Sequence, residues 1–302
     1  MSVLGKPRVA AAVARVMQRL VDLTAGPVAR RTAAVFPEFP GDTTEITIPA
    51  RVAPAPAVVY RPASVGPRPP VHVNFHGGGF VMRGVWLDDP LCRYLAAEAG
   101  VVVVNVDYVV APRHPFPAPV HQAFEVVRWL VDHDEDWNGR RLTVGGQSAG
   151  GALAAAVARQ ALERGGPRIA LQVLHYPPLD LATPAAAKRA AIAKPMLRPW
   201  MGEVFDGAYV PDVAARADRL VSPAGNADTD DLTGIAPALV ITAEYDRLNS
   251  EGVRYAHRLD DAGALVAHHE VRGADHGYDV KDAGKARLTY GLIARHVRDA
   301  TA

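Results

Sequence analysis

From residue 71 onward, short apolar runs alternate with stretches whose apolar positions recur three and four residues apart. Runs at 71–75, 101–106, 141–144, 169–175, 238–243 and 267–271 read as strands, and most lack the polar alternation of a half-exposed sheet. Between them the spacing predicts helices at 89–99, 119–133, 149–164, 251–262 and 282–301. Helical spacers between doubly buried strands favour parallel pairing, so the class is α/β, a mostly parallel central sheet flanked by helices. Two further strand signals lie at 45–48 and 57–60, ahead of the Pro-containing loop at 67–70. The first 45 residues read as a separate arm: a helix over 8–22, then a stretch punctuated by Pro27, Pro37 and Pro40. The main domain spans 46–302, and inside it, near 183–218, the βα rhythm lapses into a Pro- and Trp-containing helical stretch, an insertion of the kind that covers sites.

Composition narrows the classes. Lys and Arg together number 33 against 32 acidic residues, a net charge of +1, and no basic block offers a nucleic acid its phosphate contacts. No segment reaches the roughly 18 consecutive apolar residues of a membrane span. Arg15, Gln18, Arg19 and Asp22 break the N-terminal apolar stretch at helical spacing, so it reads as an amphipathic helix and not as an export signal. A single cysteine, Cys92, excludes an internal disulfide and a cysteine-built metal site, and makes a reduced, cytoplasmic protein the simplest expectation. No His/Asp/Glu cluster calls for a metal; the acidic run Asp228, Asp230, Asp231 reads as a solvated loop, and no cofactor motif is present. No pattern specifies an oligomeric state, and a homodimer is compatible with the sequence.

The chemistry lies at strand ends. The strand at 141–144 runs through Gly145-Gly146-Gln147-Ser148-Ala149-Gly150-Gly151 into a helix, which satisfies G-x-S-x-G in its strand–turn–helix context. A serine at the tip of so sharp a turn is held in a strained conformation, and flanking residues pass so closely that Gly146 and Gly150 leave room only for hydrogen. Upstream, the strand at 71–75 ends in His76-Gly77-Gly78-Gly79-Phe80. Three glycines there let backbone N–H groups of Gly77, Gly78 and Gly79 turn toward Ser148, and Ala149 adds an N–H from the nucleophile side: an oxyanion hole. His76 reads as support for that loop. Serine needs a base. Among the eleven histidines, His276 in Gly273-Ala274-Asp275-His276-Gly277 directly follows a strand, the position where sites of open α/β sheets collect, whereas His72 and His175 fall inside strands. For the acid, Asp246 follows the strand at 238–243; Glu244 is the alternative, and Asp275 is too close in the chain to His276. The order Ser148, Asp246, His276 is that of the α/β-hydrolase arrangement.

These residues resemble the hormone-sensitive-lipase-like branch of the α/β-hydrolases, bacterial carboxylesterases. The marks are His76-Gly77-Gly78-Gly79-Phe80, Gly146-Gln147-Ser148-Ala149-Gly150-Gly151, Tyr108 with Ala111-Pro112 and His114-Pro115-Phe116-Pro117-Ala118, Ser222-Pro223, Ala243-Glu244-Tyr245-Asp246 and His276-Gly277, over roughly 57–300. The resemblance implies hydrolysis of a small-molecule ester with Ser148, Asp246 and His276 as triad. It also implies a helical cap, formed by the arm and the 183–218 insertion, over an acyl pocket. Phe80, Trp86, Trp200, Met201, Phe205 and Tyr209 are the aromatic and apolar residues placed to line it. Departures are Gln147 for the family's usual acid, Arg113 for Glu, Arg247 for Pro and Val109 for Arg, none of which removes a catalytic atom. Amide hydrolysis uses the same constellation. A binding-only relative, of the kind the family includes as a plant hormone receptor, lacks the catalytic histidine that stands here at His276.

Overall fold

The computed structural model describes residues 2–39, 41–63, 66–133 and 135–302; Met1 and Pro40 of the N-terminal arm lie outside the described residues. The strands among them are β1 (Asp42–Ile48), β2 (Ala55–Arg61), β3 (Pro70–Phe75), β4 (Val102–Val106), β5 (Asn138–Gln147), β6 (Leu171–His175), β7 (Ala238–Ala243) and β8 (Leu265–Val271). They form one sheet in the order β1-β2-β4-β3-β5-β6-β7-β8. The first two pairings, β1 with β2 and β2 with β4, are antiparallel; every pairing from β4 to β8 is parallel. In β3, β4, β6 and β7 every residue is buried, as the unalternating apolar runs require. β8 is an edge strand and is exposed at His268, His269 and Glu270. This is the α/β-hydrolase fold.

The helices are α1 (Pro7–Ala33), α2 (Asp89–Ala99), α3 (Ala118–Asp132), α4 (Ala149–Arg164), α5 (Pro199–Tyr209), α6 (Asn249–Asp261) and α7 (Ala283–Ala300). α4 has the most thoroughly buried surface, unbroken from Ala149 to Ala161, and its run of alanines lets it lie close against β5 and β6. Several element boundaries differ from the sequence expectation by a few residues, and α1 differs most. α1 continues past residue 22 to Ala33 with Pro27 inside it. Pro27 sits on the exposed side, where water can reach the carbonyl deprived of its amide partner, and the Thr24 hydroxyl donates to the Leu20 and Val21 carbonyls at 3.0 and 3.2 Å one turn earlier. β5 likewise runs on through Gly145, Gly146 and Gln147, which pair with β3 and β6.

The segment after α1 is held by one buried guanidinium. Arg93 of α2 donates to the carbonyls of Phe36 and Phe39 at 2.9 and 2.7 Å and to Val35 at 2.8 Å, while its Nε bonds Asp89 at 2.9 Å. α1 itself packs on α5, the one long helix within 183–218. At their crossing Gly207 has no room for a side chain: a Cβ would stand 2.8 Å from both the Ala10 Cβ and the Gly5 carbonyl oxygen. Gln18 anchors α1 further, donating to Val81 and Ala111 carbonyls at 2.7 and 2.9 Å.

Candidate active site

β3 and β5 lie side by side with Phe75 opposite Gly146, so the loops that follow them start from the same height on the sheet. This is also where the chain reverses direction across the sheet, since β4 lies on one side of β3 and β5 on the other. The G-x-S-x-G spacing has a concrete steric origin here. A Cβ on Gly146 would fall 2.2 Å from the Phe75 carbonyl oxygen and 2.5 Å from the Gly150 carbonyl carbon, and one on Gly150 would fall 1.7 Å from that same Phe75 oxygen. Between them Ser148 takes φ 52°, ψ −119° at the head of α4, a region non-glycine residues rarely occupy. Its own N–H donates to the His175 carbonyl at 2.9 Å, which pins the strained turn to β6.

β7 and β8 pair with Ala243 opposite Val271, and their loops bring in Asp246 and His276. The three side chains form one hydrogen-bonded chain: Ser148 Oγ lies 2.9 Å from His276 Nε2, and His276 Nδ1 lies 2.6 Å from Asp246 Oδ2. A carboxylate only accepts, so Nδ1 carries the proton and Nε2 is left to accept from the serine hydroxyl. Asp246 is 3% exposed, and its other oxygen accepts from the Leu248 N–H at 3.0 Å. Burial alone would lower the His276 pKa; the charge and hydrogen bond of Asp246, aided by Asp279 and Asp275, lift it above its ordinary value. The two carboxylates weighed against Asp246 do other work. Glu244 accepts from the Gly273 N–H at 2.6 Å, and Asp275 accepts from the His276 N–H at 2.8 Å and the Met196 N–H at 2.6 Å, which ties 183–218 to the histidine loop.

The glycine loop curls because the Gly78 carbonyl accepts from both Val81 and Met82 N–H, at 3.1 and 2.9 Å. Gly78 and Gly79 have φ +133° and +61°, and a Cβ on Gly79 would stand 2.6 Å from the Phe205 ring of α5. His76 is fully buried: its ring stacks on Tyr108 at 4.4 Å, its Nδ1 donates to the Gly77 carbonyl at 2.6 Å, and its own carbonyl accepts from the Tyr108 hydroxyl at 3.0 Å. It braces the loop and does not reach Ser148. Ala149 is fully buried and opens α4, so its N–H belongs to the first turn, which has no acceptor within the helix.

Gly77, Gly78, Gly79, Ser148 and His276 all line one cavity of about 270 Å³. Phe80, Met201 and Phe205 line it as expected. Trp86, Trp200 and Tyr209 do not. Tyr209 is 1% exposed and stacks on the outer face of the Phe80 ring at 3.9 Å, Trp200 points outward at 44% exposure, and Leu87 takes the place expected of Trp86 in the short 3₁₀ turn Val85–Leu87. Two lining acids are pushed up by burial, Asp88 to about 7 and Asp206 to about 6.

A polar network behind the histidine went unread in the sequence. Asp279 accepts from the Tyr176 hydroxyl at 2.7 Å, from the Tyr290 hydroxyl at 2.9 Å and from the Gln147 amide. The Tyr176 ring, at φ +40° just after β6, lies edge-on to the His276 ring at 4.8 Å. Gln147 therefore gives Asp279 a neutral amide donor where an acid would oppose it. The departure at 147 was visible; its partner, 132 residues away in the chain, was not.

The chain is similar to known proteins in sequence and in fold. A family model described as alpha/beta hydrolase fold matches residues 72–280. The chain is 33% identical to Esterase LipI of Mycobacterium tuberculosis over 292 residues, 93% of this chain and 87% of that protein. It is 34% identical to an ethyl acetate hydrolase of Pseudomonas putida, over 74% of this chain and 71% of that protein. Among solved structures it is similar to the Pyrobaculum calidifontis esterase, with TM-score 0.85, 32% identity and coverage of 95% and 92% of the two chains.

Proposed function

The chain belongs to the α/β-hydrolase-fold family and is a carboxylic ester hydrolase, and we propose that it works by two-step acyl transfer through Ser148. Ser148 Oγ attacks the ester carbonyl while His276 Nε2 takes its proton. Asp246 keeps the imidazole in the required tautomer and stabilises the imidazolium. The N–H groups of Gly77, Gly78, Gly79 and Ala149 receive the developing oxyanion. The protonated histidine hands its proton to the departing alkoxide, which leaves as the alcohol. Water, deprotonated by the same histidine, then attacks the acyl-serine and frees the acid. The observation that carries this reading is the continuous hydrogen-bonded chain from Ser148 through His276 to Asp246, opening on the cavity that the glycine loop lines.

α1 and α5 act as a cap in this reading: α5 supplies Met201 and Phe205 to the cavity wall, and α1 holds α5 in place. A cavity of about 270 Å³ lies below the roughly 300–1,000 Å³ of typical small-molecule sites, which favours esters of short to medium acyl chain. No helix among the described residues is long and apolar enough to cross a membrane. A cytoplasmic setting is supported by Cys92, which is buried and unpaired.

Ser148→Ala tests the reading: hydrolysis of short-chain nitrophenyl esters should fall by about 10⁴-fold or more with the melting temperature kept. Retained turnover would discard the assignment. Paired ester and amide substrates, and phosphonate labelling of Ser148, separate the esterase from an amidase and from a binding-only protein.

A further inference from the structure

One cation on the cavity wall has no partner in the chemistry above. Arg247 follows Asp246 directly, is 7% exposed, and lines the same cavity as Ser148. Its Nη1 donates to the Ala185 carbonyl at 2.8 Å, but its buried Nε has no hydrogen-bond partner. Such an orphaned donor costs about 1–3 kcal/mol, more when the group is charged. The nearby carboxylates are otherwise engaged: Asp246 with His276 and Leu248, Asp275 with Met196 and the His276 N–H. A second guanidinium, Arg198 at the start of α5, lines the cavity close enough for its charge to act on Arg247, and it too has no carboxylate partner among the described residues. Lys188 offers no comparable vacancy, because its ammonium is 2.7 Å from the Glu251 carboxylate.

We propose that Arg247, with Arg198 beside it, binds a carboxylate carried by the substrate, so that the preferred substrates are esters bearing a free carboxylate away from the scissile bond. This rests on acyl transfer at Ser148 and adds to it the class of substrate. A guanidinium fork matches a carboxylate in shape and charge, and in a mostly apolar cavity the pair is little weakened by solvent.

The test compares two matched pairs: monoethyl glutarate with ethyl pentanoate, and 4-acetoxybutanoate with butyl acetate. The first pair places the carboxylate on the acyl side, the second on the alcohol side. KM for at least one charged ester should lie about tenfold or more below that of its neutral twin, with an advantage that shrinks between about 0.05 M and about 0.5 M salt. Arg247→Met should cut kcat/KM on that charged ester at least about tenfold more than on the neutral one; Arg247→Lys should restore part of the difference, because a point charge lacks the fork. Arg198→Gln should act in the same direction more weakly, and serves where Arg247→Met does not fold. Arg247 acting only as a strut for the Ala185 loop would show as equal losses on both members of a pair, which overturns the proposal. Neutral esters turned over with no preference for charge also overturn it and leave acyl transfer at Ser148 standing. No turnover of any of the four overturns both.

Discussion

At the residue scale the site is governed by what surrounds each polar atom. His276 is buried, and burial by itself disfavours its charged form; the carboxylate 2.6 Å away at Asp246 reverses the sign. A base with a raised pKa must lose its proton before it can serve, so kcat/KM should rise with pH and reach half its plateau above 6.5, the ordinary value for histidine. Asp246→Asn removes the largest opposition to burial, leaving only the more weakly acting Asp279 and Asp275, and releases the tautomer. The half-rise should then shift to lower pH while kcat falls by about 10³–10⁴-fold. A pH–rate profile of both proteins checks this, and an unshifted midpoint would show that Asp246 does not set the histidine's charge. Glycines follow the same local logic: at 146 and 150 the Phe75 carbonyl leaves space for hydrogen alone.

At the element scale, strand pairing delivers the loops and helix packing closes them over. β3 with β5, and β7 with β8, each present two site loops from adjacent strand ends. The cavity roof depends on α1 seated against α5, and that seat depends on Gly207, where a Cβ would stand 2.8 Å from the Ala10 Cβ. Gly207→Val should push the helices apart at a cost of about 1–3 kcal/mol, the usual penalty of overpacking. The expected signs are a lower melting temperature, faster tryptic cleavage at Arg15 and Arg19, and reduced kcat/KM on short esters. Cleavage as slow as in the unaltered protein would mean that α1 is held by its other contacts, such as Gln18 on Val81 and Ala111.

At the scale of the whole molecule, burial of titratable groups inside the sheet sets the response to acid. His72 on β3 and His175 on β6 are each 1% exposed, and burial lowers their pKa values from 6.5 to about 3 and about 4. Their folded pKa values are depressed, so the unfolded chain binds protons first. The stability they contribute is complete above 6.5 and is lost as pH falls toward 4 and 3, each steepening the loss by up to about 1.4 kcal/mol per pH unit. Denaturant melts at about pH 7.5 and about pH 5 should show this fall. His72→Gln, whatever its effect at neutral pH, should make the fall shallower; an equally steep fall would trace acid sensitivity to other groups.

By itself the sequence determined the strand and helix succession from residue 71 onward, since apolar runs and helical spacing are local patterns, and it pointed to the four site loops, since each directly follows such a run. It also specified Gly146 and Gly150 as positions closed to side chains, because a strand that turns at once into a helix forces the close approach. Only the tertiary structure decided the rest. Pro27 is tolerated within α1 because that side of the helix faces solvent. Tyr209 backs the Phe80 ring instead of lining the cavity. Asp279 reaches the histidine through Tyr176, and Arg247 is left with a donor that nothing satisfies. Each of these depends on which distant segments meet and on how much water remains between them. No spacing along a chain records that, because side-chain direction and desolvation are fixed only when the layers close.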